Sequence, residues 1–171
     1  MRTRTIFAAC AALVLAGCGF RPLYGTSSIP EGAESAFATI RVEPVAATND
    51  SDRIGYLVAE ALDRTLHTPG HDEPVAYALA LKLADERRGL AVQDDASITR
   101  YNYRLVAEWT LTAIGAETPA VSGRAETTAS YNVVDSQYAT LVARKDADDR
   151  AAREIAEQIK LRLAVSLIKP D

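Results

Sequence analysis

From Thr99 to Ile114 the chain alternates almost without a break. Tyr101, Tyr103, Leu105, Ala107, Trp109 and Leu111 fall on one side, and Arg100, Asn102, Arg104, Val106, Glu108 and Thr110 fall on the other. Successive side chains of an extended strand point to opposite faces, so this segment reads as a long strand with one buried and one mostly wet face. Such a strand needs neighbouring strands and an apolar layer over one face only.

The neighbours are legible on both sides. Val75 to Asp85 places Val75, Tyr77, Leu79, Leu81 and Leu83 at every second position. After a turn at Gly115 to Thr118, Pro119 to Tyr131 returns with Ser122, Arg124, Glu126 and Thr128 as its outward set. These three strands form an antiparallel meander. Phe37 to Val45 also alternates, ends at Pro44 and Val45, and reads as a first strand.

Two helical periods supply the covering layer. From Asp50 to about Leu66, Ile54, Leu57, Val58, Ala61, Leu62 and Leu66 recur at helical spacing, with Asn49, Asp50 or Ser51 available as cap. From about Leu141 to Ile168, Ala152, Ile155, Ala156, Ile159, Leu163 and Leu167 form one stripe opposite a charged face. The order β-α-β-β-β-α predicts a two-layer α+β sandwich: a four-stranded, mainly antiparallel sheet with both helices on one face. The aromatic row Tyr101, Tyr103 and Trp109 is expected to pack beneath those helices.

The N-terminus has a different grammar. Met1 to Thr5 is basic, Ile6 to Ala16 is apolar, and Leu15-Ala16-Gly17-Cys18 looks like a bacterial lipobox. The apolar run is too short for a stable span, which favours a secretory signal cleaved before Cys18. Cys18 is then the lipidation site, carrying acyl chains such as palmitate, and Gly19 rather than Asp after it favours sorting to the outer membrane. Residues 1–17 are thus read as signal and 18–36, with Pro22, Gly25, Ser27, Ser28, Pro30 and Gly32, as tether. Residues 37–171 form a single domain on the periplasmic side.

Removing 17 of the 171 residues leaves 154, the size of one ordinary domain. Arg2 and Arg4 leave with the signal, so 17 bases face 23 acids. That field repels nucleic acid, and no basic run exceeds Arg87-Arg88. Cys10 lies in the leader, so the mature domain keeps no thiol for a disulfide or a cysteine-containing metal site.

Chemistry is sparse. His67 and His71 have metal-ligand spacing, but Pro69-Gly70 between them breaks the helix that would align them, and a solvated loop is the expected reading. No G-x-S-x-G turn and no phosphate-cradling glycine loop occurs. Asp94-Asp95 reads as a loop and Asp148-Asp149 as a solvated helix start rather than an acid/base pair. Gly123 and Gly115 fall where close packing and a turn account for them. No catalytic residue, metal or cofactor is expected, and the protein is not expected to be an enzyme.

Gly17-Cys18-Gly19-Phe20-Arg21-Pro22-Leu23-Tyr24-Gly25 resembles the lipidation region of the lipopolysaccharide-assembly lipoprotein family, LptE, in its alphaproteobacterial form. Thr99-Arg100-Tyr101-Asn102-Tyr103, Trp109-Thr110-Leu111, Ser130-Tyr131-Asn132-Val133 and Gln137-Tyr138-Ala139 are similar to the family's third and fourth strands and closing helix. The resemblance implies the same sandwich and a non-enzymatic role. In that role the protein plugs the LptD β-barrel of the outer membrane, assists its assembly and helps deliver lipopolysaccharide to the outer leaflet. A plug presents a polar surface to a polar lumen, which the outward residues Arg100, Asn102, Arg104, Thr110, Arg124 and Thr128 suit. Arg100, Arg104 and Arg124 become candidates for contact with barrel or lipopolysaccharide, since guanidinium groups pair with phosphates. The alternative is an envelope lipoprotein that binds and regulates a peptidoglycan synthase or another envelope complex.

Overall fold

A computed structural model describes residues 33–47, 52–67, 73–92 and 98–168. The leader, Cys18, His71 and Asp94-Asp95 lie outside the described residues. The elements run α1 (Ala33–Ala38), β1 (Ile40–Val42), β2 (Ala46–Ala47), α2 (Asp52–Leu66), β3 (Tyr77–Val92), β4 (Ile98–Ala113), β5 (Val121–Asn132) and α3 (Gln137–Ile168). The sheet order is β1-β3-β4-β5, with the two-residue β2 also alongside β3. β3, β4 and β5 are the expected antiparallel meander, whereas β1 and β2 pair with β3 in parallel. A helix intervenes between β1 and β3, and a crossover of that length brings the chain back in the same direction.

Three elements depart from the alternation-based reading. The segment expected as one strand from Phe37 to Val45 is helical up to Ala38 and extended only at Ile40–Val42 before β2. Phe37 reaches the core from that short helix, buried beneath Lys160, whose ammonium lies 5.8 Å from its ring centre. β3 runs seven residues past Asp85, through the charged run Glu86-Arg87-Arg88, because β4 opposite it needs a partner along its full length. α3 begins at Gln137, about a turn ahead of Leu141, where the helical period reads as starting.

The core lies between the sheet and the two long helices. β4 contributes Tyr103, Leu105, Ala107, Trp109 and Leu111, and β3 contributes Leu79, Leu81 and Leu83, all buried. α2 covers them with Ile54, Val58, Ala61, Leu62 and Leu66, and α3 with Ala151, Ala152, Ile155, Ala156, Ile159 and Leu163. Each fully buried leucine or isoleucine contributes about 1.5–3 kcal/mol relative to an exposed one. Small residues set the spacing: Ala125 and Ala129 on β5 are buried opposite the alanines of α3. Tyr103 and Trp109 are buried as expected, while Tyr101 is half-covered and stacks on Tyr131 at 5.6 Å.

Both glycines singled out in the sequence have physical reasons. Gly115 adopts φ +84° in the β4–β5 turn, a conformation glycine enters without penalty. Gly123 pairs with Trp109 across β4 and β5, and a Cβ there would lie 2.5 Å from Trp109 Cζ2. Gly123→Val is therefore expected to cost about 1–3 kcal/mol by overpacking, read as a lower urea midpoint at unchanged slope. An unchanged midpoint would show that the indole moves aside freely.

Candidate functional site

The helices cover one face of the sheet, and the other face is a charged platform. Pairing aligns its outward residues in rows across β3, β4 and β5: Ala80, Thr110 and Ser122; Lys82, Glu108 and Arg124; Ala84, Val106 and Glu126; Glu86, Arg104 and Thr128; Arg88, Asn102 and Ser130. Arg100 continues the face beyond the last row. The five cations Lys82, Arg88, Arg100, Arg104 and Arg124 face the three carboxylates Glu86, Glu108 and Glu126, so the platform is net positive on a chain whose formal charge is −4.

Two of the three expected arginines come together through a residue the sequence reading treated only as outward. Arg104 donates from Nε to Glu126 at 2.7 Å, and Arg124 donates to the other oxygen of the same carboxylate at 3.1 Å. The hydrogen bond and charge of Glu126 hold the Arg104 guanidinium above its usual range, and the Arg104 hydrogen bond holds the Glu126 carboxyl below the carboxylate range. Arg100 stands apart, exposed and without an ion pair among the described residues. Lys82, Glu86, Arg88 and Glu108 complete the platform. Glu86 and Arg88, which pair at 2.9 Å, escaped sequence reasoning because their stretch lacks apolar alternation. The signal available was the length of β4, too long for a partner ending at Asp85.

Relief divides the platform. Near β2, Glu43, Pro44, Ala80, Lys82, Glu108, Thr110, Ser122 and Arg124 border an open depression of about 690 Å³. Toward the β3–β4 tip, Glu86, Arg88, Asn102, Arg104 and Thr128 border a smaller one of about 230 Å³.

Beneath the sheet lies a second polar group. Arg87 points inward, donating to Asp148 of α3 at 2.8 Å and to Asp85 at 3.2 Å, with its guanidinium 4.3 Å from the centre of the Tyr103 ring. Asp148 is thus buried, not part of a solvated helix start as its sequence suggests, because β3 extends far enough to bring Arg87 under α3. Burial works against the Arg87 charge, but the Asp148 carboxylate outweighs it and holds the guanidinium above its usual range. Burial and the two carboxylates push the Tyr103 phenol up. The neighbouring Asp149 pairs with Arg53 of α2 at 3.2 Å.

His67 caps α2 and ties it to the sheet. Its Nε2 lies 2.9 Å from the Ile40 carbonyl and its Nδ1 2.9 Å from the Asp63 carboxylate. Among the described residues no cluster of metal-ligating side chains forms, and no helix is long and apolar enough to cross a membrane.

The described residues form a small two-layer sandwich with one charged sheet face that no described element covers. The family model for lipopolysaccharide assembly, LptE, matches residues 37–163, and the chain belongs to that family. A candidate lipoprotein from Caulobacter crescentus CB15 is similar at 31% identity and a TM-score of 0.66, over 81% of this chain and 98% of its own. Rare lipoprotein B from Shewanella oneidensis shares the fold at 16% identity and a TM-score of 0.50, over 75% and 97% of the two chains. A minor lipoprotein from Acinetobacter baumannii does so at 10% identity and 0.52, over 76% and 93%. No curated protein matches.

Two outcomes test this geometry. Because the Glu126 carboxyl is held low in the folded state, the pair's contribution is present above the unfolded carboxylate pKa and lost as pH falls through the depressed value. An NMR titration should place the Glu126 midpoint below that of an ordinary glutamate, and Arg104→Ala should raise it. Asp148→Ala, which strips the partly buried Arg87 of its α3 partner, is expected to cost about 2 kcal/mol in a denaturant melt.

Proposed function

We propose that this protein is an outer-membrane lipoprotein anchored through Cys18, and that it acts as a non-enzymatic plug and assembly partner of an LptD-like β-barrel in lipopolysaccharide delivery. Family membership supports the assembly role. The observation that carries the finer reading is the bare sheet face. A plug inside a polar lumen needs a broad polar surface on a rigid support, and β3, β4 and β5 present one in register.

In this reading residues 1–17 are the signal and the segment from Cys18 to the domain is a tether. Two or more acyl chains on Cys18 make the anchor durable, since each buried CH₂ contributes about 0.8 kcal/mol. The Arg104–Glu126–Arg124 group meets the barrel with a net charge of +1, and the exposed Arg100 is open to a phosphate of lipopolysaccharide.

The test is extraction of the outer membrane in mild detergent from cells carrying the chain with a C-terminal tag. A large β-barrel recovered near one-to-one, lost together with acyl labelling in Cys18→Ala, is the expected result. Recovery of a cell-wall synthase instead, or of no barrel, would overturn the plug reading.

A further inference from the structure

We draw no further inference here: the strongest candidate, the outer edge of β3 from Glu86 to Gly89, which no described strand flanks on the side away from β4, carries nothing, because nothing in the structure shows what covers it.

Discussion

Burial of one face of β4 is the constraint on which the other features depend. Trp109 and Tyr103 are large side chains on the central strand, and they are enclosed only if two helices lie over the same side of the sheet. Helices reach that close because the facing residues are small: Gly123 under the indole, Ala125 and Ala129 on β5, and the alanines of α3. With the helical layer spent on one face, no element among the described residues covers the other. The charged platform is therefore the complement of the core, produced by the same alternation.

Much of this was readable because it rests on period. The meander, the two long helices and the inward set of β4 follow from spacing two and spacing near 3.6, and the outward positions of Arg100, Arg104 and Arg124 come with them. What spacing could not convey was any feature decided by a distant partner. Alternation ends at Asp85, but pairing with β4 holds Glu86, Arg87 and Arg88 extended beyond it, and Asp148 of α3 gives the inward Arg87 a counter-charge. Phe37 sits in an alternating stretch, but covering the core from a helix turn outweighs the weak extended preference of its neighbours. The bridging role of Glu126 was equally hidden, since it depends on which residues of β4 stand diagonally across from it.

The two ionic groups on opposite sides of the sheet have different characters. Arg104, Glu126 and Arg124 sit in water, where such pairs contribute little to stability and mainly set the pattern of charge a partner meets. Arg87 with Asp85 and Asp148 is largely withdrawn from solvent, where breaking one bond leaves a charge uncompensated. That inner group fixes α3 to the extended half of β3 at Asp148. Before Ala147 only Thr140 and Ala143 of the helix are partly covered, whereas after Asp148 its apolar stripe is buried.

α3 also closes the edge of the sheet. Gln158 both accepts from the Glu126 amide at 3.2 Å and donates to its carbonyl at 3.1 Å, and Arg150 donates to the Ser130 carbonyl at 3.2 Å. Side chains of the last helix thus take the place of a sixth strand along β5. A copy truncated before α3, or one caught while that helix is undocked, exposes a row of backbone donors and acceptors to any extended chain nearby. Docking of the last helix therefore separates a sheet with a closed edge from an open template for strand addition and aggregation.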